Sequence, residues 1–149
     1  MDYKLIMQAA LSLAKVAADK GDVPVGAIVV NEAGEILGTG QNLREQCNDP
    51  TAHAEVIAIR QAAEKIGSWR LDDLTLVVTL EPCAMCAGAL AQSRIKRLVF
   101  GAWDEKAGAV SSVMDVIRDP RSLTKVEVIT GIMEEECSEE LRDFFNTKR

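Results

Sequence analysis

A chain of 149 residues, 48% hydrophobic and 27% charged, has room for one hydrophobic core and one compact domain over 1–149, and this composition excludes a fibrous, low-complexity or disordered protein. The net charge of −6 argues at first against a nucleic-acid partner, because phosphate contacts draw on Lys and Arg. Residues 134–143, however, carry six acids against Arg142 alone, so one segment sets the sign and the remainder is nearly balanced.

Leu5, Ala9, Leu13 and Val16 repeat at helical spacing behind Asp2, an N-cap residue, and the pattern stops at Gly21, which predicts a helix over roughly 2–20. Val25–Val30 and Glu35–Gly40 are strand-like runs separated by Asn-Glu-Ala-Gly, so they form an antiparallel hairpin. Thr51, after Pro50, caps a second helix over about 52–66 that Gly67 closes. Leu74–Thr79 then reads as a buried strand. Its apolar run is broken by Thr75 and Thr79 and is far short of the ~20 residues of a membrane span.

An Ala-rich helix runs from Pro82 to about Ser93. Arg97–Gly101 and Val126–Thr130 are further strands, with a loop or short helix between them. Met133, Cys137, Leu141, Phe144 and Phe145 form an apolar stripe that docks the last helix. Strands joined through a helix run parallel, with right-handed crossovers. The pattern therefore predicts a mixed five-stranded sheet covered by helices on both faces. The N-terminus has neither a basic region nor an apolar core of the signal-peptide kind, which places the protein in the cytoplasm.

The chain has one histidine and four cysteines, and three of these five residues fall in His53-Ala-Glu55 and Pro82-Cys83-Ala-Met-Cys86. In a protein kept reduced, a Cys-x-x-Cys pair is a metal clamp or a redox couple rather than a structural disulfide. The late position of the pair and its match with the only His select a metal. Both ligand groups also fall at predicted helix starts, where the positive end of the helix dipole favours thiolate.

Two soft thiolates and an imidazole suit zinc, and three protein ligands leave a tetrahedral position open, as in catalytic sites. A closed structural site is the alternative. Cys47, in a loop, and Cys137, on the last helix, share no motif with the trio and read as free thiols. Glu55 is two residues from His53 and would not share its face within a helix, but near a helix start it can reach past the end. There a carboxylate can move a proton between water and substrate; the alternative is a surface acid. Gly38-Thr-Gly40 is too short for a phosphate loop. Trp69 with Arg70, and Trp103, are candidates either for stacking on bases or for partial core.

His53-x-Glu55 followed by Pro82-Cys83-x-x-Cys86 resembles the signature of the zinc-dependent nucleobase deaminases. Asn48-Asp-Pro-Thr-Ala-His-Ala-Glu55, Thr79-Leu-Glu-Pro-Cys-Ala-Met-Cys-Ala-Gly88, Val99-Phe-Gly-Ala102 and Asp143-Phe-Phe145 are similar to the bacterial tRNA adenosine deaminases within that superfamily. The resemblance runs from Val23 to the last helix. It implies a three-layer α/β/α cytidine-deaminase-like fold and a homodimer with one zinc per subunit. The implied activity is hydrolytic conversion of adenosine to inosine at the wobble position of an arginine tRNA anticodon.

By the same resemblance His53, Cys83 and Cys86 would hold zinc and Glu55 would shuttle protons. Asn42 and the Ala54 backbone N–H would bind the base, and Asp104 would lie near the sugar and backbone. Phe145, Lys148 and Arg149 would sit beside the anticodon stem-loop. Trp103 departs from the pattern, in which Arg commonly precedes the aspartate. Two other functions fit the zinc trio: a deaminase of free guanine, cytosine or a nucleoside, and a non-catalytic zinc-stabilised binding module.

Overall fold

The computed structural model describes residues 1–122 and 124–147. Helix α1 (Tyr3–Asp19) starts where Asp2 accepts the Leu5 amide at 3.2 Å, the predicted cap. Strands β1 (Gly26–Val30) and β2 (Ile36–Gln41) pair antiparallel, joined by a turn in which Asn31 Oδ1 accepts the Ala33 and Glu35 amides. A four-residue helix, α2 (Arg44–Cys47), and α3 (Ala54–Ile66) follow. Next come β3 (Thr75–Leu80), α4 (Ala84–Gln92), β4 (Arg97–Ala102), β5 (Glu127–Thr130) and α5 (Glu134–Thr147). Among the described residues no helix is long and apolar enough to cross a membrane.

The sheet order is β2-β1-β3-β4-β5. β1 is antiparallel to both neighbours, and β3-β4 and β4-β5 are parallel, so the sheet is mixed and five-stranded as expected. Alternate residues of the central strands serve opposite layers. Ile28, Val30, Val77 and Val99 pack under α1 and α5, through Met7, Ala10, Leu11 and Cys137. Ala27, Val29, Leu76, Val78, Leu98 and Phe100 pack under α3 and α4, through Ala58, Ala62, Ala87 and Leu90. Both faces are covered, which is why β1 and β3 are almost continuously apolar.

Several expectations are corrected. The second helix starts at Ala54, with His53 rather than Thr51 in the N-cap position; Thr51 instead bonds Asp49 through its amide and hydroxyl. Cys47 ends helix α2 rather than lying in a loop. The described residues between β4 and β5 form turns and a Val110–Asp115 bridge, not a helix. On α5, Cys137 is buried and Phe144 half-buried, but Phe145 is 51% exposed. At about 100° per residue, position 144 returns to within about 20° of Met133, whereas 145 lies about 120° away.

Gly38 and Gly40 explain how α3 is placed. A Cβ on Gly40 would overlap the Ala54 carbonyl oxygen, and one on Gly38 the Ala58 carbonyl oxygen, so β2 and the helix backbone touch directly. The contact at Ala54 fixes the first turn of α3, and with it His53. Gly40→Ala is expected to lower unfolding stability by about 1–3 kcal/mol through overpacking, read from a urea midpoint.

Candidate functional site

His53 and Cys83 both occupy N-cap positions, of α3 and α4, and neither side chain caps its helix. Ser, Thr, Asp or Asn would ordinarily stand there. Instead the two side chains turn toward each other. His53 Nδ1 lies 3.6 Å from Cys83 Sγ and 3.5 Å from Cys86 Sγ, and the three ligand atoms all lie within 4.8 Å of one another. Zn–N bonds of about 2.05 Å and Zn–S bonds of about 2.3 Å at tetrahedral angles give N···S edges of about 3.5 Å, so the donor set fits zinc in kind and spacing. Among the described residues this is the one such cluster, and neither Cys47 nor Cys137 joins it. Cys137 lies in the opposite layer, where burial pushes its thiol up to about 12.

The thiols behave as a pair. A hydrogen bond from Cys86, with His53 adding to it, brings Cys83 down to about 3 although partial burial opposes this. The same bond with Cys83, reinforced by burial, pushes Cys86 well above the usual thiol range. The pair thus shares one proton and one negative charge, and a divalent cation is what would let both ionise. The bond with Cys83 also raises His53, against its desolvation.

Glu55, second residue of α3, is 4% exposed and interacts with the Cys86 thiol. Burial lifts its carboxyl to about 7, partly offset by its own backbone amide and His53, so it can take up and release a proton near neutrality. It lies outside the three-residue ligand cluster. The first turn of α3 sets it against Cys86.

Asn42 is 6% exposed. Its Nδ2 donates to the Val23 carbonyl at 3.1 Å, while its buried Oδ1 has no partner. It lines a 460 Å³ cavity with Gly21, Asp22, Val23, Arg44, Glu45 and Phe144. Asp22, not singled out from the sequence, is buried and shapes that wall by accepting the Glu45 amide at 2.8 Å and Gln46 Nε2 at 3.0 Å. Phe144 forms part of the cavity, and its ring meets that of the exposed Phe145 edge to face at 5.4 Å. Ala54, fully buried, is the first residue of α3, so its N–H is one that a helix leaves without an internal partner.

Asp104 is half-buried and does not line this cavity. Its Oδ1 accepts the Lys106 and Ala107 amides, stabilising its own turn. Trp103 packs edge to face on Phe100 at 4.9 Å and donates to Glu134 at 3.0 Å. Trp69, stacked under Arg70, lies at the opposite end of β3 from Cys83. Lys96 and Arg97 are engaged by Glu32 and Glu127. Lys148 and Arg149 lie outside the described residues.

A model of the MafB19-like deaminase family matches residues 1–149. The tRNA-specific adenosine deaminase of Haemophilus influenzae is 50% identical over 144 residues, covering 97% of this chain and 83% of that protein. The tRNA-specific adenosine deaminase of Bacillus subtilis is 44% identical over 146 residues, covering 98% and 90%. A solved structure from studies of A-to-I editing by tRNA:A34 deaminases at the wobble position of transfer RNA superposes with a TM-score of 0.87 at 41% identity, covering 91% of this chain and 97% of that one.

The trio predicts metal content directly. Purified protein should carry one equivalent of zinc, and Cys83→Ala or Cys86→Ala should lose most of it, by the order of 10-fold to 100-fold or more in affinity. Metal analysis after dialysis checks both, and Cys47→Ala should leave the content unchanged.

Proposed function

The chain belongs to the family of tRNA-specific adenosine deaminases, and we propose that it hydrolyses the wobble adenosine of an arginine tRNA anticodon to inosine. The observation that carries the chemistry is a buried Glu55 carboxylate, poised near neutrality, against the His53, Cys83 and Cys86 cluster. In this proposal the chain acts as a single domain over 1–149, as a homodimer, in the cytoplasm.

When held by His53, Cys83 and Cys86, zinc supplies the Lewis acidity that makes water nucleophilic near neutral pH. Glu55 takes the proton of the attacking water and delivers it to N1 of the adenine as the C6–O bond forms. It then takes the proton of the new C6 hydroxyl and hands it to the C6 amine; the C–N bond breaks as the C6 carbonyl forms, and ammonia leaves with inosine as product. Asn42 presents its unpartnered Oδ1 to a donor on the base, and the Ala54 N–H meets an acceptor. Phe144 and Phe145 provide apolar surface beside the anticodon loop, and Asp104 lies toward the sugar and backbone. The cavity beside Asn42 is not itself lined by His53, Glu55, Cys83 or Cys86; an anticodon loop suits the site because its bases are already unstacked, whereas a duplex must first be opened.

Turnover by the zinc-loaded protein should be found with an adenosine-containing arginine anticodon stem-loop and not with free adenosine, guanine or cytosine, read as inosine and ammonia. Reaction of a free base alone would replace the RNA substrate, and silence on all four would favour the binding module. Glu55→Ala should retain zinc and fold while kcat falls by about 10²–10⁴. Asn42→Ala should raise KM for the stem-loop about tenfold, the cost of one buried hydrogen bond to substrate.

A further inference from the structure

Glu81 lies between the end of β3 and Cys83. It is 1% exposed, and among the described residues it forms no ion pair with any Lys or Arg. A buried carboxylate without a cation needs several hydrogen-bond donors. Here all come from one distant segment. Oε1 accepts the Asp104 amide at 3.0 Å and the Ser112 hydroxyl, and Oε2 accepts the Val110 and Ser112 amides, each at 3.0 Å.

The surrounding backbone reinforces this. The Ala109 amide donates to the Pro82 carbonyl at 2.8 Å, and the Glu81 amide to the Ala102 carbonyl at 2.8 Å. Gly108 approaches so closely that a Cβ there would overlap the Glu81 carboxylate. Residues 104–112 are therefore wrapped around one carboxylate, on the segment that also places Cys83. Their exposed residues are Glu105, Lys106 and Ala107, which follow Asp104 directly, and Ser111 and Ser112.

We propose that Glu81 is a positioning residue: it clamps the 104–112 loop to the Pro82-Cys83 turn and so holds the loop's exposed rim in the orientation that receives substrate. This rests on the proposed function for the identity of that substrate. In Glu81→Gln, one of the two sides of the clamp must set an amide N–H against loop donors, whichever way the side chain turns. In Ser112→Ala the carboxylate stays and only the hydroxyl donor is removed.

Both variants and the wild type are compared, zinc-loaded, on the anticodon stem-loop, with amide hydrogen exchange of 104–112 measured without RNA. In Glu81→Gln, KM should rise about tenfold, the scale of a lost charge-assisted bond, while kcat changes less than about twofold and zinc content is unchanged. Exchange at Val110 and Ser112 should accelerate. Ser112→Ala should shift KM in the same direction by a smaller factor. A lowered melting temperature with unaltered KM would reduce Glu81 to a fold-stabilising residue and overturn the proposal, as would loss of zinc and kcat at constant KM. If the wild type acts only on a free base, the proposed function fails, and KM for that base with the loop exchange decides the clamp by the same criteria.

Discussion

Two helices must begin at the same point in space for this molecule to have a site at all. His53 opens α3 and Cys83 opens α4, and the N···S separation of 3.6 Å between them leaves little tolerance. A helix whose N-cap side chain does not cap forgoes about 1 kcal/mol, and both helices do so here. That loss is acceptable only because the freed imidazole and thiol serve another purpose. The helix dipoles assist: two positive ends converge where negative charge must accumulate. The sheet supplies the accuracy, since α3 is seated by direct backbone contact with Gly40 and α4 follows β3 through Pro82, itself buried.

The negative net charge fits this arrangement. Glu134, Glu135 and Glu136 occupy the first turn of α5, where acids complement the helix dipole. Phe144, which lines the cavity, lies eight to ten residues further along, about 12–15 Å at the helical rise. The separation exceeds a Debye length of about 8 Å at physiological salt, so those acids act chiefly on their own helix and little on the cavity. Total charge is a poor guide to an RNA partner when the excess is gathered on one helix.

The ligand trio and the layered sheet were legible in the sequence because each leaves a local trace, a short spacing or a hydrophobic period. Features created by distant partners left none. Thr51 is the better capping residue by local preference, yet Asp49 engages it and the helix starts at His53, where tertiary contact places it. Helix α2 has too few residues to show a period and is held by Asp22, 23 positions earlier in the chain. Glu81 reads as an ordinary acid at a strand end; its partners lie 23 to 31 residues away. In β1 and β3, apolar on both faces, alternation could not say which residues meet α1 and α5 and which meet α3 and α4. The stripe on α5 identified the helix face but overextended it by one residue, since Phe144 rather than Phe145 completes it.

Asn42 and Glu55 show what two buried polar side chains cost the free protein. An acceptor buried without a partner is unfavourable by about 1–3 kcal/mol, and a carboxyl kept out of water is held away from its charged form. Both conditions persist in the free protein, at 6% and 4% exposure. Under the proposed function, a base that donates to Asn42 would relieve the first of these costs, whereas a base without that donor would leave the Oδ1 unpartnered. Discrimination then follows from groups left unsatisfied as much as from the bonds a correct base forms. Under the proposed function the site would admit a loop whose bases are already unstacked, so energy released at Asn42 need not be spent on opening a duplex.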